Sequence, residues 1–148
     1  MNISTKYFDD VSISEQDIIY FKEGIFGFEN FKKYIIIEFE SGSDNLLCLQ
    51  SIDDEELAFV LMNPFNLMSE YKPQLSDSDI EDLAIDENTE GVLYYVICVV
   101  KDSISESTVN MKCPIVINPK SKMAKQIILD SEEYNFKHEL KQFTEGEA

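Results

Sequence analysis

The chain holds one histidine, His138, and three cysteines, Cys48, Cys98 and Cys113. His138 has no second histidine to share a metal and no serine or cysteine set around it as a nucleophile would require. On a C-terminal strand it reads as a surface or rim group. Cys48 and Cys98 lie inside apolar runs and Cys113 immediately precedes Pro114. An odd number of cysteines without CxxC spacing reads as buried, reduced thiols of a cytoplasmic protein. Gly24 and Gly27 make a GxxG, which lacks the spacing of a phosphate-cradling loop. The run Asp53-Asp54-Glu55-Glu56 is rich in hard oxygen ligands, but four successive acids cannot all turn toward one ion as spaced calcium ligands do. It reads as a solvated turn. Twenty-nine acids offer many carboxylate pairs for acid–base work, and no spacing singles one out. These residues predict no catalytic residue, no metal site and no cofactor.

The elements that would carry such side chains are organised around Val92–Val100, VLYYVICVV, nine consecutive apolar residues between Gly91 and Lys101. As a strand they span about 30 Å, and their β-branched and aromatic content favours that state. A strand apolar at every position needs cover on both faces, so it belongs in the middle of a sheet. Exposed, it would invite aggregation.

The remaining chain reads mostly as short strands. Ile18–Phe21 precedes KEGIFGFENFKKY, where Phe28, Phe31 and Tyr34 recur at three-residue spacing and predict a turn or two of helix. Tyr34–Glu40 is a strand, and Ser41-Gly42-Ser43-Asp44 a turn. Leu46–Ile52 and Leu57–Met62 flank the four-acid turn as a hairpin, which Pro64 ends. Ser76 and Asp79 have the spacing of a capping box, with Leu75 and Ile80 as a hydrophobic staple. A short amphipathic helix follows, burying Ile80, Leu83 and Ala84 and ending near Ala84. Thr108–Cys113 alternates as a half-buried strand, Pro114 marks a bulge or edge, and Ile115–Ile117 resumes the strand. Gln126–Leu129 is another strand. Tyr134–Leu140 fits both strand and helix spacing, with strand preferred. Seven to nine short strands and one or two small helices predict a mainly β fold, an antiparallel barrel-like or sandwich domain. One domain covers residues 1–148, with a polar C-terminal fringe over about 144–148.

Charge narrows the partners. All twelve basic residues are lysine, and against twenty-nine acids they leave a net charge of −17. Phosphate backbones and anionic membranes would repel such a surface, so neither direct nucleic-acid nor membrane binding is expected. A basic protein partner fits. The seven acids between Lys72 and Lys101, with no basic residue among them, predict a local negative surface near the helix. The N-terminus carries no export signal and no run approaches a membrane span, which with the cysteines predicts a cytoplasmic location. The high charge argues for a monomer when free.

Three stretches, IxFxEGIFGFE (from Ile19), LQSIDDxxLAFVLMNP (from Leu49) and TVNMKCPIVINPKSKMAKQIIL (from Thr108), together resemble the FliW family of bacterial flagellar assembly factors. The likeness runs from about Ile18 to Leu140. One departure is Phe26, where the family's first motif usually has proline. The resemblance implies a small β-barrel-like, non-enzymatic cytoplasmic regulator with two protein partners. One is newly made flagellin. The other is CsrA, a small basic RNA-binding dimer that blocks flagellin translation and is antagonised away from its RNA site.

For CsrA the candidate residues are Glu29, Asp53, Asp54, Glu55 and Glu56, the acids beside two of the motifs. For flagellin, whose terminal segments are amphipathic helices, the candidates are Phe28, Pro64, Phe65 and Tyr71, apolar residues outside strands that would line a groove or else cap the barrel ends. Gly24, Gly27, Asn110, Pro114 and Asn118 are motif residues with a structural reading: turns, a bulge and backbone hydrogen bonding. Two other readings stay open. One is a chaperone or adaptor for another export substrate; the other is a small enzyme using buried carboxylates of raised pKa.

Overall fold

A computed structural model describes residues 1–39, 46–102, 106–140 and 142 of the chain. The expected turn at Ser41–Asp44 and the polar fringe lie outside these residues. In chain order the elements are β1 (Asn2–Thr5), β2 (Asp9–Ser12), a 3₁₀ turn at Glu15–Asp17, β3 (Ile19–Phe21), β4 (Lys33–Glu38), β5 (Leu47–Ser51) and β6 (Ala58–Met62). Then follow α1 (Pro64–Leu67), α2 (Asp77–Asp82), β7 (Leu93–Val99), β8 (Thr108–Val109), β9 (Ile115–Asn118), β10 (Met123–Gln126) and β11 (His138–Glu139).

Strands β7-β6-β5-β4-β3-β10-β9 pair in that order, and β9 pairs back onto β7, closing a seven-stranded barrel. All pairings are antiparallel except β3 with β10. β7 closes the barrel by changing partners along one edge. Its first half pairs with β9 through Leu93, Tyr94 and Tyr95, and its end pairs with β8 through Cys98 and Val99. β8 carries β11 beyond it.

Two-residue periodicity sorts side chains between three apolar clusters. Inside the barrel, Tyr34 from β4, Leu49 from β5, Leu61 from β6, Tyr95 from β7, and Ile115 and Ile117 from β9 pack with Phe21. Residues one step along face outward and are covered. Val96, Cys98 and Val116 lie beneath Tyr71, Leu83, Leu129 and Tyr134. On the other side Ile35 packs under the β1–β2 hairpin with Ile3 and Ile13. The apolar run at Val92–Val100 is thereby explained: Tyr95 and Ile97 belong to the interior and Val96 and Cys98 to the outer layer. Cover stops toward its ends, where Leu93, Val99 and Val100 are exposed.

Several local expectations change. Phe28, Phe31 and Tyr34 do not share a helix; Phe28–Phe31 closes a turn and Tyr34 belongs to β4. Aromatic spacing of three reports here on consecutive turns. Thr108–Cys113 is a strand only over its first two residues, because the Asn110 side chain accepts a hydrogen bond from the Cys113 amide and folds 110–113 into a turn. Gln126 is the last residue of β10 and not the first of a strand. The α2 capping box is present, with Ser76 accepting from the Asp79 amide and Asp79 from the Ser76 amide. Of its three apolar residues only Leu83 is buried. His138, expected at a rim, is buried, and its Nε2 accepts from the Asn135 amide. Neither the β1–β2 hairpin nor α1 is visible in the sequence reading.

α2 is tied to the barrel at both ends. Asn118 donates to the carbonyl of Leu83 at 2.8 Å, and Ser121 donates to the same oxygen at 3.1 Å, capping the helix C-terminus. Lys125 on β10 reaches Asp79 and Asp82, both at 2.8 Å. Burial works to raise the Asp79 pKa, but hydrogen bonds from Lys125 and Ser76 together with the lysine charge hold it below the usual carboxylate range. Lys125→Met should therefore cost about 1–2 kcal/mol at neutral pH. Because the Asp79 pKa is depressed on folding, this stabilisation is present above the unfolded value and lost as pH falls through the folded one. Urea titrations of both proteins across that range should show the difference shrinking toward acid.

Candidate partner-binding surfaces

The acidic turn and the first glycine motif occupy the same end of the barrel. The β3–β4 loop and the β5–β6 turn emerge side by side, since β3, β4, β5 and β6 are successive antiparallel neighbours. Glu29 lies in the first and Asp53–Glu56 in the second. Asp53, Glu55 and Glu56 are exposed, as is Glu29, and Asp54 is partly covered.

A polar scaffold fixes the acidic turn. Gln50, fully buried, places its Nε2 within 3.0–3.2 Å of the carbonyls of Ser51, Asp54, Glu55 and Leu57. Its Oε1 accepts from the Lys6 amide and so ties the turn to the N-terminal hairpin. The Ser51 hydroxyl accepts from the amides of Asp53 and Asp54. The Asp54 carboxylate turns back to accept from the Glu56 amide, and those of Asp53, Glu55 and Glu56 are left outward. Asp53 is close enough to the barrel interior to act on Tyr34, whose phenol is pushed up to about 12, chiefly by burial and further by that charge.

The neighbouring loop is equally constrained. The Phe28 amide donates to the Ile25 carbonyl at 2.7 Å, with Gly27 at φ +89° in the third position, the signature of a type II turn. Phe26 therefore stands at the second position, which proline favours in such turns. Its amide, which proline would lack, donates to Oε1 of Gln126 at 3.0 Å. The Gln126 side chain also donates to the Cys113 carbonyl, anchoring the loop to the barrel wall. Ile25 is buried beneath the turn, while Phe26 and Phe28 are exposed. Phe28 stacks edge-on to Phe59 at 5.3 Å, and Phe59 contacts Tyr34 inside the barrel. Phe28 thus closes the acidic end of the barrel.

The other three flagellin candidates sit at the far end of β6, a strand of about 16 Å. Asn63 caps α1 by accepting from the Phe65 amide, and Pro64 takes the first helical position and is buried. Phe65 is exposed on one side and makes edge contacts with Tyr71 and Tyr94, both at 5.9 Å. Tyr71 is buried, donates to the Met111 carbonyl at 2.6 Å and stacks on Tyr134 at 4.7 Å. Burial, with Tyr134 and Cys113 adding to it, pushes the Tyr71 phenol well up. The structure brings Phe65 and Tyr71 together and leaves Phe28 apart from them. Of the three, Phe65 alone presents a face to solvent.

The motif residues take up backbone duties. Gly24 lies at φ +73°, and a Cβ there would come 2.5 Å from the Glu29 Cα. Pro114, between β8 and β9, accepts from the Ile127 amide through its carbonyl. The two residues that sequence reasoning overlooked, Gln50 and Gln126, carried one usable signal. Each is a polar residue bordering an apolar run, Leu46–Leu49 before Gln50 and Ile127–Leu129 after Gln126, a place where a buried hydrogen-bonding group is to be sought.

Chemistry finds little footing. No aspartate or glutamate among the described residues is buried, and Asp79 and Asp86 have their pKa displaced downward, not up. Among the described residues no three His, Cys, Asp or Glu converge as metal ligands. All three cysteines are free and buried, and burial pushes Cys48 up to about 11 despite the opposing charge of Lys6. No helix among the described residues is long and apolar enough to cross a membrane.

Comparison with known proteins bears on the family and the fold. The family model for FliW protein matches residues 2–140. Proteins called flagellar assembly factor FliW from Geobacillus kaustophilus and Clostridium botulinum are 38% and 36% identical over 140 residues, covering 95% of this chain and 95% and 96% of theirs. A protein of the same name from Alkaliphilus metalliredigens is 38% identical over 138 residues, covering 93% of this chain and 85% of its own. The crystal structure of a flagellar assembly factor FliW superposes with a TM-score of 0.87 at 36% identity, covering 95% of this chain and 96% of that one.

Proposed function

The chain belongs to the FliW family of flagellar assembly factors, and from that premise we propose that it regulates flagellin supply in the cytoplasm by binding two proteins. The family is one of regulatory assembly factors and not of enzymes, and the chain acts in flagellar assembly. In the proposed cycle it holds newly made flagellin, and when flagellin is exported it binds CsrA instead. CsrA bound in this way releases the flagellin message, and the antagonism acts away from the RNA site.

The observation that carries the reading is the outward set of carboxylates: Asp53, Glu55 and Glu56 on a turn whose backbone Gln50 and Ser51 hold in place, with Glu29 beside them on the β3–β4 loop. In a chain of net charge −17 this fixed acidic end suits a basic protein and repels RNA. Flagellin calls for an apolar anchor, and Phe65, half presented from the Tyr71–Tyr94 cluster, supplies one.

Pull-downs with purified CsrA and purified flagellin test the assignment. Changing Asp53, Glu55 and Glu56 together to lysine should weaken CsrA binding by about 10-fold or more and spare flagellin. Changing Phe65 to aspartate should do the reverse. Binding of neither protein to the parent chain refutes the proposal. Intact CsrA binding by the charge-reversed chain removes the acidic end from it and favours an adaptor that uses only the apolar anchor.

A further inference from the structure

After Ala124, β10 loses its neighbour on one side. β3 ends at Phe21 and its chain turns away, the Gly24 amide donating to the Phe21 carbonyl. On the opposite side pairing continues in register: the Ile127 amide donates to the Pro114 carbonyl and the Leu129 amide to that of Lys112. Alternation then sends the amide and carbonyl of Ile128 and of Asp130 toward the vacated side. Among the described residues none of these four groups is hydrogen-bonded. Ile128 and Asp130 help to line an open groove of about 1010 Å³, together with Leu75 and Ser76 ahead of α2. Ile128 and Phe26, both lining it, are 59% and 48% exposed.

We propose that this edge receives one added β-strand, an extended segment of a partner protein that alternates apolar with basic residues. An exposed edge supplies backbone pairing to any extended chain, and the wall decides which chain is accepted. Glu23, Glu70, Asp130 and Glu133 line the groove and are exposed. Of its two lysines, Lys125 is engaged by Asp79 and Asp82, which leaves Lys72 against four acids. A basic segment is drawn in and an acidic one excluded. A second copy of this chain, at −17, is a poor occupant for the same reason. Residues 126–131 offer about 17 Å of edge, enough for five or six residues of the partner. The proposal concerns a different surface from the acidic turn and does not depend on CsrA or flagellin being the partner.

The test uses the full chain, ¹⁵N-labelled, and an N-acetylated, C-amidated hexapeptide alternating lysine with isoleucine. The expected result is a shift of the Ile128 and Asp130 amides and a slowing of their hydrogen exchange by about 10-fold. A peptide N-methylated on one alternate set of amides should lose binding and one methylated on the other set should keep it, because only one set faces the edge. A glutamate–isoleucine peptide should not bind, and changing Asp130 and Glu133 to lysine should weaken the lysine peptide by about 10-fold. No shift at these amides up to about 1 mM peptide overturns the proposal, as does equal binding of both methylated peptides. Protection of Ile128 in the free chain also overturns it. A concentration-dependent doubling of mass would then assign the edge to a second copy, and loss of protection on deleting residues 141–148 would assign it to the chain's own C-terminus.

Discussion

Changing Gln50 to leucine should lower stability by about 2–4 kcal/mol, although leucine suits an apolar strand and fills a similar volume. The amide group has two hydrogens and reaches four carbonyls, so each hydrogen is shared. Leucine offers none, leaving the carbonyl oxygen of Ser51 short of a donor in a buried site, while that of Leu57 keeps only the Ser51 amide. It also strips the Lys6 amide of its acceptor and so loosens the N-terminal hairpin from β5. Urea unfolding should show a lower midpoint with an unchanged slope, and the Lys6 amide should exchange faster with solvent. An unchanged midpoint would mean that the acidic turn does not depend on Gln50, and the fixed orientation of its carboxylates would need another cause.

Gly24→Ala should cost about 2–4 kcal/mol, and the same change at Gly27 about 1–2 kcal/mol. Both glycines have positive φ, so both substitutions carry conformational strain. They differ in what the new methyl meets. At Gly24 it falls 2.5 Å from the Glu29 Cα and 2.8 Å from the Glu29 carbonyl oxygen, backbone atoms that cannot swing aside. At Gly27 it meets nothing within 4 Å. The loop must open at Gly24, carrying Phe28 off Phe59 and moving Glu29 relative to the acidic turn. Thermal or urea unfolding of the two variants, compared directly, checks the difference; equal losses would show that the close approach at Glu29 is not rigid.

The barrel was legible where sequence and burial share a period. The hairpin around the four acids, the capping box at Ser76 and the strand within Val92–Val100, covered on both faces over its middle, all follow from patterns within a few residues. What escaped was set by contacts distant in sequence. Closure of β9 onto β7 depends on register between residues far apart in the chain, as at Leu93 and Ile117. The β1–β2 hairpin contributes the apolar residues Ile3, Val11 and Ile13 to the cluster over the barrel, too short a stripe to announce itself. His138 looked like a rim group because the chain that buries it, around Asn135, is itself irregular. At the candidate surfaces the acids could be named from the sequence, but not the glutamines that aim them. The apolar candidates could not be sorted either, because Pro64 and Tyr71 reveal their burial only once α1 folds back over β7.

The central claim is that a rigid acidic end of this barrel captures a basic protein. The rate at which purified CsrA associates with the chain, followed from about 50 to 500 mM salt, tests it most directly. The account predicts a fall in that rate of about 10-fold or more, with dissociation changing much less. It also predicts that the fall all but disappears once Asp53, Glu55 and Glu56 are lysine. An association rate that stays level across the salt range, or a salt dependence that the three substitutions leave untouched, would contradict it.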